Sequence, residues 1–192
     1  MRGALLSTIV MFSTCASAQV AEIPQEYLSP KYVAPNRAPA DIIIANSDEP
    51  GDRLLVTGHV TDGKMPIKSA SVYAFHTDTN GHYATDGNDT DGNARLHGAL
   101  RTDTAGHYSY STIRPGSYGG PTHVHYVVTA AGYKTALREL WFADDKILVE
   151  RRKAGQPEIP KFYPAGAVMI RSVTLDEQGT WHCTDDIVLE RK

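Results

Sequence analysis

The sequence is poor in cysteine, in long hydrophobic segments and in excess charge of either sign. Among its 192 residues only Cys15 and Cys183 are cysteines, and the formal net charge is −3. The basic residues are interspersed with acidic ones, which argues against nucleic acid as a partner because that would need a basic patch or stripe. The apolar run at residues 3–12 is too short to span a bilayer, and no other segment could cross one.

The first residues nevertheless have the three parts of a secretory signal peptide. Arg2 gives a positive start, residues 3–12 are apolar, and Ala16-Ser17-Ala18 forms a small-residue cleavage site. The sequence therefore predicts a cleavable signal peptide at residues 1–18, a secreted or periplasmic location, and no membrane association once the signal is removed.

Cleavage at that site would leave a mature chain that begins at Gln19 and keeps one cysteine, Cys183. No internal disulfide is then possible, so the fold must be stabilised by its core alone. A lipid-modified Cys15 is an alternative reading of the same segment, which residues 12–14 fit poorly.

The sequence also has no long segment with a 3.6-residue apolar repeat, and β-type segments dominate. Short strands separated by Gly, Asp and Asn are typical of an all-β fold, here an antiparallel β-sandwich at residues 51–192 with long functional loops such as residues 77–96. Five prolines within residues 19–50 predict an extended, Pro-rich N-terminal arm with a short strand at 41–45. The predicted strands of the domain are residues 54–60, 70–76, 107–113, 123–129, 137–142, 167–173 and 180–189.

One of these strands carries His123 and His125. Residues two apart on a strand point to the same face, so both imidazoles can address one point in space, which is a metal-ligand arrangement. A Pro-Gly turn upstream places Tyr118 near the start of this strand as a plausible third ligand. A phenol loses its proton near pH 10, but a trivalent cation can hold it as phenolate at neutral pH, which favours ferric iron over zinc.

Several ordered motifs now resemble one family, the intradiol ring-cleavage dioxygenases, over roughly residues 54–142. The motifs are Gly-His-Tyr at 81–83, Thr-Asp-x-x-Gly-x-Tyr at 102–108, Thr-Ile-Arg-Pro-Gly-x-Tyr at 112–118 and His-Val-His at 123–125. The resemblance is to the smaller, protocatechuate dioxygenase-like core. It implies a non-haem Fe(III) enzyme that cleaves a catechol ring with dioxygen between the two hydroxylated carbons, giving a muconate-type diacid.

The same resemblance implies the ligands of Fe(III): Tyr83, Tyr118, His123 and His125. Spacing alone leaves Tyr83 and Tyr108 equivalent, because both end similar Asp-x-x-Gly turns. Tyr118 would be the catalytic tyrosine, an axial ligand opposite His125 that leaves when the catechol binds and can then act as a base.

Two positions depart from the family pattern. Gly120 stands where the family usually has an Arg, and Glu139 stands where a Gln is often found. Loss of the Arg removes a cation that would favour developing negative charge. Arg114, Arg138 and Arg151 are candidate substitutes, although each also reads as a surface charge. Gly120 therefore favours an alternative function, a non-catalytic secreted β-sandwich module that binds an aromatic or polymeric ligand.

Overall fold

The computed structural model describes residues 23–192, and the predicted signal peptide lies outside this range. Within it the chain forms eleven strands, one α-helix and three short 3₁₀ turns. The strands are β1 Asp41–Ile43, β2 Arg53–Thr61, β3 Ser71–His76, β4 Leu96–Arg101, β5 His107–Ile113, β6 His123–Thr129, β7 Ala136–Phe142, β8 Val168–Arg171, β9 Val173–Leu175, β10 Trp181–Thr184 and β11 Ile187–Val188. The helix α1 is Lys146–Lys153, and the 3₁₀ turns are Gln25–Leu28, Pro30–Tyr32 and Asp91–Asn93.

These strands build two sheets, which confirms the all-β prediction. The first has the order β1-β5-β2-β10-β9 with β11 also paired to β2, and the second has the order β4-β3-β6-β7-β8. Both sheets are mixed, so the prediction of a purely antiparallel arrangement is wrong. Parallel neighbours need a crossover connection; β7 and β8 are parallel, and α1 lies between them in the chain.

One hydrophobic cluster contains side chains from both sheets. Val56 and Tyr110 come from the first sheet, and Val72, Tyr126 and Leu140 from the second; all five are fully buried. On β6 the alternation places Val124 and Tyr126 in this cluster, so His123 and His125 belong to the opposite face of the second sheet.

Two smaller apolar clusters lie on that opposite face. One joins Tyr27 and Tyr32 of the N-terminal segment to Tyr73, Phe75 and Tyr83. The other joins Trp141 of β7 and Val168 of β8 to Leu148 of α1. No helix among the described residues has the length and hydropathy needed to cross a membrane.

The N-terminal segment is attached to the domain at several points. β1 pairs in parallel with β5, and the backbone N–H of Ala34 donates to the hydroxyl of Ser71 at 2.7 Å. Tyr27 donates its hydroxyl proton to Asp91, and the ammonium of Lys31 donates to the carbonyl of Gly92. Residues 25–32 thus contact the loop that follows Tyr83, which the sequence did not indicate.

Candidate metal centre

The two histidines of β6 are oriented by their neighbours on both sides. Phe75 of β3 lies opposite His125, and its ring stacks on the imidazole with a centroid separation of 4.8 Å. The Nδ1 atom of His123 is 2.7 Å from the carbonyl oxygen of Pro121, which can only accept a hydrogen bond. The proton of His123 is therefore on Nδ1, and the lone pair of Nε2 is free for a metal.

Tyr83 lies in the long loop between β3 and β4 and is 8% exposed. The carboxylate of Asp89 accepts hydrogen bonds from the backbone N–H groups of Tyr83 at 2.6 Å and Ala84 at 3.1 Å. The N–H of Arg95 donates to the carbonyl of Tyr83 at 2.7 Å. The backbone on both sides of this tyrosine is thus held by the loop, and no sequence pattern singled out Asp89.

Tyr118 lies in the loop between β5 and β6 and is 53% exposed. Its loop packs backbone to backbone against the turn before Tyr83. A Cβ on Gly81 would lie 2.3 Å from the carbonyl oxygen of Ser117, and one on Gly116 would lie 2.3 Å from that of Thr79. Only glycine fits at either position, so these two glycines allow the two tyrosine loops to meet.

The four residues predicted as ligands meet at one point. The hydroxyl of Tyr83 is 3.0 Å from that of Tyr118 and 2.9 Å from Nε2 of His125. The Nε2 atom of His123 is 2.9 Å from the hydroxyl of Tyr118 and 3.0 Å from Nε2 of His125. Four potential metal-binding atoms therefore form a closed ring in which each is in contact with the next.

The size and chemistry of this ring fit a metal ion. Neighbouring atoms of the ring are 2.9–3.0 Å apart, close enough for all four to contact one ion. Two imidazole nitrogens and two hard phenolic oxygens suit ferric iron.

The protonation states of the ring atoms support the same reading. Burial, followed by the proximity of the His123 imidazole, lowers the pKa of His125 to about 3, so His125 is neutral and able to bind metal at neutral pH. Burial, followed by the hydrogen bond to Tyr118, raises the pKa of Tyr83 far above its usual value. A phenolate at Tyr83 thus needs a bound cation to stabilise it.

Tyr108, which spacing alone could not distinguish from Tyr83, lies elsewhere. It is fully buried in the cluster between the two sheets, and its hydroxyl donates to the carbonyl of Asp185 at 2.7 Å. The similar turns before the two tyrosines have the same hydrogen-bond pattern around Asp78 and Asp103, but they lie in different sheet contexts.

Of the two positions that depart from the family pattern, Glu139 borders the four-residue cluster and Gly120 lies on the loop that carries Tyr118. Glu139 is the cross-strand neighbour of His125, and its Oε1 is 4.0 Å from Nδ1 of His125. Its Oε2 accepts a hydrogen bond from Nε1 of Trp141 at 2.7 Å. Gly120 lies on the Tyr118 loop, and no atom lies within 4 Å of a Cβ placed there.

The three arginines considered as substitutes for the missing cation have partners elsewhere. Arg114 forms a two-point ion pair with Asp144 at 2.7 and 2.8 Å. Arg138 donates to the carbonyls of Gly166 and Val188, and Arg151 donates to the carbonyl of Glu158.

The fold and this centre together define a class: an all-β protein with a two-histidine, two-tyrosine cluster on the outer face of one sheet. A family model described as Dioxygenase matches residues 28–122. Chlorocatechol 1,2-dioxygenase of Rhodococcus opacus is 29% identical over 53% of this chain and 48% of its own length. Catechol 1,2-dioxygenase of Acinetobacter guillouiae is 30% identical over 65% of this chain and 48% of its own.

A solved structure shares the fold. The dioxygenase domain of a dioxygenase carbohydrate-binding protein fusion from Streptomyces sp. SirexAA-E superimposes with a TM-score of 0.62 at 21% identity, covering 82% of this chain and 94% of that one. The family model and these relatives confirm the resemblance to the intradiol ring-cleavage dioxygenases seen in the sequence. The chain spans about half the length of the two curated relatives.

The contact between the two tyrosine loops yields a first prediction. Gly116→Ala should displace Tyr118 from the ring, because the new methyl group would collide with the carbonyl of Thr79. Bound iron, measured after reconstitution, should fall at least about 10-fold, as for loss of a partner that orients a ligand. Gly120→Ala is the matched control, since its methyl group meets no atom within 4 Å. Equal iron binding by both variants, each with a native circular dichroism spectrum, would contradict this role for Gly116.

Proposed function

We propose that this protein is a non-haem Fe(III) intradiol dioxygenase whose ligands are Tyr83, Tyr118, His123 and His125. The observation that carries the proposal is the closed ring of their four side-chain atoms, with neighbouring atoms 2.9–3.0 Å apart. The match to the family model and the similarity to dioxygenase relatives support it. We also infer that the two sheets pack as a β-sandwich, because one core cluster contains side chains from both.

The substrates in this proposal are a catechol-type ring and dioxygen. Bound Fe(III) would supply Lewis acidity and make the chelated ring electron-rich enough to react with dioxygen. Both oxygen atoms enter the product, and the bond between the two hydroxylated carbons breaks, so catechol itself would give muconic acid.

The four residues have different parts in this reaction. His123 and His125 act as neutral nitrogen donors, and Phe75 and the carbonyl of Pro121 hold their rings in place. Tyr83, 8% exposed and fixed by Asp89, suits a permanent ligand. Tyr118, 53% exposed on a loop, is the ligand that would give way to a bound catechol and would accept one of its protons.

Oxygen uptake tests this function. The iron-loaded protein should consume dioxygen with at least one of catechol, protocatechuate, hydroxyquinol or a larger lignin-like catechol, and a muconate-type acid should form in equal amount. His125→Ala, prepared in parallel, should consume none. Reversible binding of a catechol without oxygen uptake would instead favour the alternative that Gly120 suggests, a non-catalytic binding module.

Export is a separate proposal, based on residues 1–18. We expect the chain to leave the cytoplasm and to begin at Gln19 after cleavage behind Ala16-Ser17-Ala18. N-terminal sequencing of the exported protein measures this directly. Ala18→Leu should block cleavage, because the site requires small residues. An intact Met1 on protein recovered from the cytoplasm would contradict the proposal.

A further inference from the structure

The candidate centre is bordered by a carboxylate in a position where the family often has a neutral amide. One oxygen of Glu139 and one ring nitrogen each of His123 and His125 all lie within 4.8 Å of one another. The side chain of Glu139 is 19% exposed and that of His125 is 12% exposed, so the carboxylate is neither sealed in the core nor free in solvent. The indole N–H of Trp141 donates to Oε2, which fixes the group beside the histidines.

A second carboxylate adds to the negative charge around the two tyrosines. This carboxylate belongs to Asp91, which lies in the loop after Tyr83 and accepts a hydrogen bond from Tyr27. Burial is the main reason that the pKa values of Tyr83 and Tyr118 are raised, and the charges of Asp91 and Glu139 raise both further.

Within residues 23–192, the three arginines considered as sources of compensating positive charge already have partners. Arg114 is neutralised by Asp144, and Gly120 has no side chain. Arg151 donates to the carbonyl of Glu158. Its charge lowers the pKa of Tyr163 only as the smallest of several effects, while burial and then Glu139 raise that pKa. A substrate carboxylate placed here would thus face like charge without a matched cation, which costs binding energy.

We propose that Glu139 is a specificity-determining residue that makes the site select catechols with uncharged ring substituents and reject those that carry a carboxylate. The inference rests on the proposed function, because it concerns the substrate of the same centre. Rejection by like charge needs no contact between substrate and Glu139, since the interaction between charges extends over several ångströms.

The test compares two catechols that differ in one substituent. 4-Methylcatechol carries a methyl group where protocatechuate carries a carboxylate. Each is titrated into the iron-loaded protein without dioxygen, with the shift of its visible band as the measure of binding, and each is then assayed by oxygen uptake. The wild-type protein should bind 4-methylcatechol at least about 10-fold more tightly, as expected when like charges are brought together.

Glu139→Gln is the decisive variant, because it removes the charge but keeps an oxygen that can accept the hydrogen bond of Trp141. It should tighten protocatechuate binding by about 10-fold while leaving 4-methylcatechol binding nearly unchanged. Glu190→Gln is the matched control: it removes the same charge from an exposed pair with Lys134, and it should not alter the preference.

The outcomes separate the inference from the function on which it rests. Equal binding of the two ligands by the wild-type protein, or an unchanged preference in Glu139→Gln, overturns the inference even if both are oxidised. Selective binding of 4-methylcatechol without oxygen uptake supports the role of Glu139 and overturns only the dioxygenase activity. A visible band that neither ligand shifts overturns both.

Discussion

Replacing His125 by alanine is expected to lower the affinity for Fe(III) by more than about 100-fold, because loss of an outer partner of a ligand alone costs about 10- to 100-fold. His125 is mostly buried, and its Nε2 contacts both Tyr83 and His123. No other side chain of β6 points to the part of the ring that His125 occupies. His123 and the two tyrosines therefore cannot supply the missing ligand atom. Competition with a chelator, followed by measurement of protein-bound iron, gives the affinity.

His59→Ala is the control for that experiment. His59 lies half-exposed on β2, where its ring is 3.4 Å from the carboxylate of Asp186. Its removal should leave iron binding unchanged. If neither His123→Ala nor His125→Ala reduces bound iron, the metal centre is wrong and the ring is only a hydrogen-bonded cluster.

Introducing a cation at position 120 is expected to have the largest effect on turnover. Gly120→Arg should raise kcat by roughly 10²- to 10³-fold without changing iron content, since one favourable interaction with developing charge is worth about 2.7–4 kcal/mol in a dry site. No atom lies within 4 Å of a Cβ at Gly120, so a side chain can start there without a clash. Oxygen uptake at saturating catechol measures kcat.

Gly120→Gln separates charge from size in this comparison, because its side chain is long but neutral. It should leave kcat close to that of the wild-type protein. A correctly folded Gly120→Arg variant with unchanged turnover would contradict the idea that the missing cation limits the reaction.

The strands of the fold could largely be predicted, because most have β-branched or alternating residues between clear turns. β4 was missed: its sequence, Leu-His-Gly-Ala-Leu-Arg, has no β-branched residue, and it becomes a strand through pairing along its whole length with β3. The helix α1 was also missed. Its apolar residues Ile147, Leu148 and Val149 are consecutive rather than spaced by a helical period, and the Asp145 cap was its main local signal.

The candidate site was predictable to different degrees. The spacing of His123 and His125 was enough to place both imidazoles on one face, because strand geometry is local. Tyr83 could be chosen over Tyr108 only by resemblance, since their turns are alike. What separates them is the segment that the glycine of each turn meets: a Cβ on Gly81 would collide with Ser117 of the Tyr118 loop, and one on Gly106 with Val60 of β2, which no local pattern reveals.

The electrostatics of the site were the least accessible from sequence. Glu139 was recognised as a departure from the family pattern, but its position beside His125 depends on the register between β6 and β7. The contribution of the N-terminal segment, through Tyr27 and Asp91, depends on contacts between residues more than 60 positions apart.

The visible absorption spectrum of the iron-loaded protein tests the central claim most directly. Phenolate bound to Fe(III) absorbs visible light, so the wild-type protein should be coloured. Tyr83→Phe and Tyr118→Phe should each shift or bleach the band, because each removes one phenolate-to-iron transition. Tyr108→Phe should leave it unchanged, since Tyr108 lies in the core between the sheets. A colourless iron-loaded protein, or a band bleached by Tyr108→Phe but not by Tyr83→Phe, would contradict this account.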